Sequence, residues 1–288
     1  SSPYFSPDVI AGRAQPSEDH LWGGERAWWK TPYYVDNACW FCSEGGAHAL
    51  PCRRTLERVI PAADLLTPWF NPDEPNPREL RWTDQWEYRG TNPTLSRTKY
   101  PHNRNLVVLK QVQALFGDVP RRDLDLLIAE SQSAQAESIK FQVELFRSQK
   151  FVKKGGFVVW NLADVWPTIS DAITDYYGER KKAYAAVKEA FRDVLAMVAE
   201  DGRILVVNDT ASDVRGDVRL VEATDGRKVF EAHYQAKANS VSEVGRVSWN
   251  GQGLFRIAYT ADGREMRSHY LHGEPPFAWS DYCRWTAK

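Results

Sequence analysis

The stretch Gly155-Gly156-Phe157-Val158-Val159-Trp160-Asn161-Leu162-Ala163-Asp164-Val165-Trp166-Pro167 decides how the chain is read. Two glycines precede an unbroken apolar run, Phe157 to Trp160, which gives way to polar and aromatic residues. An apolar run between helices has the pattern of a fully buried parallel strand, because both faces of such a strand are covered. A stretch rich in Ala, Gln, Glu and Lys precedes it and predicts a helix, and a second helix is expected from about Glu179 to Asp193. Helix, strand, helix is the order of an α/β protein, whose sites lie at the carboxyl ends of strands. That end carries Trp160, Asn161, Asp164 and Trp166: two indoles beside an amide and a carboxylate, a set that suits a sugar. The same residues also suit a core of packed aromatics with a polar cap.

Upstream, Ala38-Cys39-Trp40-Phe41-Cys42-Ser43-Glu44-Gly45-Gly46 reads as a short apolar strand ending in a carboxylate and two glycines. A Glu just past a buried strand is costly to bury unpaired, so Glu44 is expected to have partners. The glycines let backbone approach a ligand closely. Before it, Asp19-His20-Leu21-Trp22-Gly23-Gly24 has the polar and aromatic character of a strand mouth. A lone His20 is more often a structural histidine than a ligand. Between the two strand stretches, helices are expected within Leu50–Leu66, over His102–Phe116 and over Asp123–Ser148. Residues 67–101, rich in Pro and Trp, read as a long irregular loop, and loops of that length inside a domain usually carry function.

Past Asp193 the pattern changes. Arg203–Asn208, Val218–Ala223, Arg227–Tyr234, Ser240–Trp249, Leu254–Thr260 and Glu265–Leu271 are short strands. Asp225-Gly226, Asn250-Gly251 and Asp262-Gly263 separate several of them, which is hairpin chemistry. The expectation is two domains: α/β over residues 1–198, then an all-β sandwich over 199–288.

Composition narrows the function. A net charge of -1 gives no electrostatic reason to expect nucleic acid or an anionic membrane surface. No apolar run approaches the roughly 20 residues of a transmembrane helix. Twelve Trp, many in loop-like sequence, favour carbohydrate at the mouth of an α/β scaffold. The start, Ser1-Ser2-Pro3-Tyr4, is neither a signal peptide nor an initiator Met, so a processed product or a fragment is expected. Secretion or a periplasmic location with processing is compatible with that start. Cys39 and Cys42 form a CxxC, which raises zinc or redox chemistry, but no second pair completes a zinc site. No metal or cofactor is expected.

Several of these segments together resemble β-mannosidase-like enzymes of glycoside hydrolase family 2. Gly155–Pro167, continued by Ile173–Gly178 and Lys182-Ala183-Tyr184, looks like the last barrel strand and following helix of that family. Ser1-Ser2-Pro3 looks like its Ser-Ser-Pro loop, and Asp19-His20-Leu21-Trp22 like its Asp-x-His-x-Trp segment. Phe41–Gly46 is similar to its nucleophile segment, and Gln135–Arg147 to the helix before the last strand. The resemblance implies the C-terminal part of a (β/α)8 TIM barrel over 1–198, followed by an immunoglobulin-like β-sandwich over 199–288. It implies a retaining exo-β-glycosidase with Glu44 as nucleophile, Trp160 as a wall of the sugar subsite, and His20 and Trp22 beside the sugar. Asn161, Asp164 and Trp166 are implied as further substrate-binding residues.

The departures from the family carry equal weight. The family acid/base lies in an Asn-Glu pair before the nucleophile, and none precedes Glu44; Glu18 and Glu25 do not fit. A partner chain or an N-terminal part would have to supply the acid and the first half of the barrel. The family's aromatic after the nucleophile is Gly45 here, which is expected to leave space beside Glu44. Ala49-Leu50-Pro51 through Leu65 is also similar to exo-β-glucosaminidase relatives. Two other readings stand beside a β-mannosidase: a non-catalytic carbohydrate-binding remnant, and a metal or redox site at the CxxC.

Overall fold

A computed structural model describes residues 17–22, 29–65, 83–90, 104–118 and 123–287. The expected Ser1-Ser2-Pro3 loop, Gly23-Gly24, Trp28, and residues 67–82 and 91–101 of the expected long loop lie outside the described residues. In chain order come strand β1 (Glu18–Leu21), the single turn α1 (Pro32–Val35), strand β2 (Phe41–Gly45), and helices α2 (Arg53–Val59), α3 (Asp84–Gly90), α4 (Arg104–Phe116) and α5 (Leu124–Ser148). Strand β3 (Gly156–Val159) and helix α6 (Lys182–Ala190) follow. Seven antiparallel strands come next: β4 (Val194–Val198), β5 (Arg203–Asn208), β6 (Val214–Glu222), β7 (Lys228–Ala236), β8 (Ser240–Arg246), β9 (Gly253–Ala261) and β10 (Arg264–His272). Helix α7 (Trp279–Thr286) ends the described chain.

β1, β2 and β3 form a parallel sheet in that order. Their shared carboxyl end lies at Trp22, Gly46 and Trp160. Helix α5 is the spine on which this sheet is mounted. Asp123 caps its N-terminus by accepting from the backbone N–H of Leu126 at 3.0 Å, which satisfies one of the unpaired donors of the first turn. The helix is buried nearly all round, polar residues included, because those residues tie other segments to it. Gln132 donates to the Leu50 carbonyl at 3.1 Å, and Arg147 reaches Asp209 at 2.7 Å. Phe157 of β3 meets Phe146 of α5 edge-on, and Val159 packs beside Ile139, Val143 and Ala183.

β3 is not the fully buried strand that its apolar run predicts. Val158 is 44% exposed and Trp160 43%. The strand lies at the sheet edge, paired among the described residues with β2 alone, and helices cover only one of its faces. The expected irregular loop over 67–101 also contains a helix, α3, whose Trp86 is fully buried and donates to the Asp64 carbonyl at 2.9 Å.

Two antiparallel sheets, ordered β10-β9-β6-β7 and β4-β5-β8, share an apolar core of Val206, Val218, Leu220, Phe255, Ile257 and Tyr259, among others. The boundary expected at 198/199 falls after a strand of this unit: β4 pairs along its length with β5, so the antiparallel structure begins at Val194. α7 does not continue the sheets. It returns to α5, where the Tyr282 hydroxyl donates to Glu137 at 2.8 Å. His269 of β10 contacts the same Glu137 oxygen at 2.9 Å, so one buried carboxylate joins α5, the larger sheet and the last helix.

Candidate active site

A kink in β2 builds the site. In register with β1, Cys42 faces Asp19 and Glu44 faces His20, so Ser43 has no partner. In register with β3, Cys42 faces Phe157 and Gly45 faces Val159, so Ser43 and Glu44 together oppose Val158. Two residues against one is a β-bulge, which re-aims side chains and recurs beside active sites. Strict alternation would put Cys42 and Glu44 on one face. Here Cys42 and Gly45 share the helix-covered face: a Cβ built on Gly45 would lie 2.4 Å from Phe157 Cζ and 3.0 Å from Cys42 Sγ. Glu44 is thereby turned to the opposite, uncovered face.

Two side chains from β1 and the residue that follows it meet the Glu44 carboxylate. His20 Nδ1 lies 3.2 Å from Oε2, and Trp22 Nε1 donates to the same Oε2 at 3.4 Å. Among the described residues nothing hydrogen-bonds Oε1. Gly46 lets the tryptophans close over this point. A Cβ there would stand 2.6 Å from the Trp160 carbonyl oxygen and 3.3 Å from Trp22 Cη2. Trp160 is anchored by its N–H, which donates to the Gly45 carbonyl at 3.0 Å. The Trp160–Asn161 peptide bond is cis.

His20, Trp22, Glu44 and Trp160 are thus brought together. Asn161, Asp164 and Trp166 make their contacts elsewhere. The Asn161 carbonyl accepts from Ile173 N–H at 3.0 Å, and its side-chain oxygen is buried without a partner among the described residues. Burial pushes the Asp164 carboxyl up to about 6, against the opposing pull of Lys181 and Ser170. Trp166 meets Tyr88 edge-on at 5.4 Å, with the Arg89 guanidinium 5.8 Å from its ring.

The space expected beside Glu44 at Gly45 is filled. The Phe157 ring stands where a side chain at 45 would go, so the aromatic bulk comes from β3 instead of β2. Cys39 and Cys42 are buried free thiols, and burial pushes them up to about 11 and about 12, which keeps them protonated. Among the described residues no group of three or more His, Cys, Asp or Glu forms a metal-binding cluster. Sequence reasoning missed His48 and Asp171, buried behind Trp22, because neither sits in a motif and their proximity is set by chain crossing alone.

No family model matches this chain. β-Mannosidase B from Aspergillus niger is 38% identical over 81 residues, which is 27% of this chain and 10% of that protein. An exo-β-D-glucosaminidase from Amycolatopsis orientalis is 23% identical over 239 residues, 74% of this chain and 20% of that protein. Among solved structures, a β-D-mannosidase from Dictyoglomus thermophilum superposes with a TM-score of 0.72 at 24% identity, covering 96% of this chain and 32% of that one. The exo-chitosanase of Amycolatopsis orientalis gives 0.64 at 18% identity over 88% of this chain and 30% of that one. The chain is similar in sequence to β-mannosidases and an exo-β-glucosaminidase, and in fold to their solved structures. This β-mannosidase-like chain aligns with only a small part of each curated relative and about a third of the solved mannosidase. No described helix is long and apolar enough to cross a membrane.

Proposed function

We propose that this chain is the nucleophile-bearing part of a retaining exo-β-glycoside hydrolase of β-mannosidase type, with Glu44 as nucleophile. The observation that carries it is the bulge that turns Glu44 to the open face at the carboxyl end of a parallel sheet, with His20 and Trp22 on one oxygen. Held through Oε2, the carboxylate has Oε1 for attack. An Oε1 lone pair forms a bond to the anomeric carbon as the glycosidic C–O bond breaks, and a second carboxylic acid protonates the departing oxygen. The same second group then takes a proton from water, which attacks the anomeric carbon and returns the bond pair to Glu44. In retaining enzymes the two carboxyls lie about 5–5.5 Å apart. Trp160 forms a wall of the sugar subsite; a substrate role for Asn161, Asp164 and Trp166 rests on the family resemblance alone.

The acid comes from a partner chain or an N-terminal part that completes a (β/α)8 barrel. The uncovered sheet face supports this reading. Phe41, Val158 and Trp160 are exposed there, whereas parallel sheets are ordinarily covered on both faces. An exo-β-glucosaminidase is the second reading, favoured by an alignment that runs over 74% of the chain.

A dinitrophenyl β-mannoside whose hydroxyl next to the anomeric carbon is replaced by fluorine tests the assignment. Its leaving group departs without protonation, so the absent acid is not required, and the fluorine slows release of the sugar ester. The expected result is a stable mass increment on the peptide containing Glu44, absent in Glu44→Gln. Labelling of a different residue, or turnover of an aryl β-mannoside by assembled enzyme carrying Glu44→Ala, overturns it. Sugar binding with no labelling favours the non-catalytic remnant.

A further inference from the structure

Behind the candidate nucleophile lies a buried pair that none of the site chemistry has used. The rings of His48 and Trp22 are 6.2 Å apart, tilted by 56°. On its other side, His48 Nε2 is 3.9 Å from Asp171 Oδ2, a charge contact longer than a hydrogen bond. Both residues are 6% exposed. A buried imidazole beside a buried carboxylate is costly unless the surroundings hold it in place.

The surroundings do hold it. The segments on which the two residues sit are bridged directly, the Ala49 N–H donating to the Ser170 carbonyl at 3.0 Å. Gln135 of α5, fully buried, donates through one nitrogen to the Ala47 carbonyl at 2.8 Å and the Asp171 carbonyl at 3.0 Å. Lys181 joins the same two segments from beyond, donating to the carbonyls of Ala49 and Ser170, each at 3.2 Å. The His48 N–H is taken up by Gln111 Oε1 at 3.2 Å. Four tethers therefore fix the backbone that carries His48, and its ring, set between Asp171 and Trp22, is a wall for the Trp22 indole. The opposite limit is Gly46, next to Trp22 Cη2. Between these walls the indole N–H reaches Glu44 Oε2.

We propose that His48, held against Asp171, is a positioning residue: it sets the Trp22 indole so that its N–H holds the Glu44 carboxylate. The catalytic consequence rests on the reading of Glu44 as nucleophile; the positioning itself does not. A catalytic group must be held by neighbours whose own orientation is locked, and a small displacement of such a neighbour costs rate.

The test reads the Trp22 indole directly. The full chain is labelled with nitrogen-15 at tryptophan, and the Trp22 signal is identified by its absence in Trp22→Phe. Glu44→Gln is expected to shift that signal, since it replaces the carboxylate acceptor. His48→Ala is expected to move the same signal and to speed its hydrogen exchange about tenfold, the scale set by losing one ordering hydrogen bond. His48→Gln, which fills the space and keeps a donor toward Asp171, is expected to restore it, while the other indole signals stay in place throughout. Asp171→Asn, close in size, gives an independent arm and is expected to move the signal in the direction of His48→Ala. A Trp22 signal unmoved by Asp171→Asn and by whichever His48 variant folds overturns the proposal. Glu44 labelling by the fluorinated mannoside reads the other claim: absence of labelling with a responsive Trp22 signal defeats the nucleophile and leaves the positioning intact. Labelling with an unresponsive signal does the reverse.

Discussion

In the sandwich, β9 buries Leu254, Phe255, Ile257 and Tyr259 and exposes Arg256 and Ala258. In the parallel sheet, Val158 and Trp160 of a wholly apolar run stand nearly half exposed. The sandwich has two sheets whose apolar faces cover each other, so its core closes within the chain. The parallel sheet has helices on one face and nothing described on the other. Closed apolar faces contribute stability, and the open face is where His20, Glu44 and Trp160 gather. The two regions are joined through Glu137, a fully buried carboxylate contacted by His269 from β10 and Tyr282 from α7.

Substitutions that act on one region and not the other test this division. Phe255→Ala is expected to cost about 3–5 kcal/mol, the range for deleting a buried aromatic. Urea unfolding followed in the far ultraviolet measures it. Glu137→Ala removes one of the links between the regions and strands the groups that paired with it, again at a cost of about 3–5 kcal/mol. Because Arg147 to Asp209 and Lys140 to the His269 carbonyl still join the regions, its unfolding curve is expected to remain a single transition at a lower midpoint; a split into two would show that Glu137 is the dominant link. The same link is acid-labile. Burial raises the Glu137 carboxyl, but His269, Lys140 and Tyr282 outweigh it and hold it down at about 2 against an ordinary 4.5. A depressed folded pKa stabilises above the unfolded value, so the contribution is whole above about pH 5 and is lost as pH falls toward 2. Glu137→Gln should remove that part of the pH dependence.

Gly46→Ala is expected to cost about 1–3 kcal/mol, because the added Cβ meets the Trp160 carbonyl at 2.6 Å and the backbone must shift. The loss should fall on the parallel sheet alone, seen as faster hydrogen exchange of β2 and β3 amides with the sandwich amides unchanged. Val158→Ala is the smallest, below about 1 kcal/mol, as for an exposed position. A cost comparable to that of Phe255→Ala would mean that the face is covered in solution.

Much of the fold was legible in residue patterns. The expected strand Arg203–Asn208 coincides with β5, and the helix expected over Asp123–Ser148 is α5 with Asp123 as its cap. β4 was not legible, because Leu195, Ala196 and Met197 are good helix formers continuing a helical stretch; pairing with β5 overrides that preference. The start of β6 was hidden by Arg215-Gly216-Asp217, a polar break that the sheet needs, since a Cβ at Gly216 would meet the Thr260 carbonyl at 1.8 Å. α3 was hidden by the prolines that flank it.

The sequence by itself determined the helix–strand–helix order and the seat of Glu44 at a strand end; the nearness of His20, Trp22 and Trp160 to that end was implied only by the family resemblance. Local pattern suffices for the first two, because apolar runs, caps and glycines act within a few residues. It did not determine which way Glu44 points. Alternation alone places it beside the buried Cys42, and only the bulge, visible once β2 is paired on both sides, turns it to the open face. His48 reaches Trp22, and Phe157 fills the place left by Gly45, through contacts between residues far apart in the chain. A register shift and a ring contact are relations between strands, and no single segment encodes them.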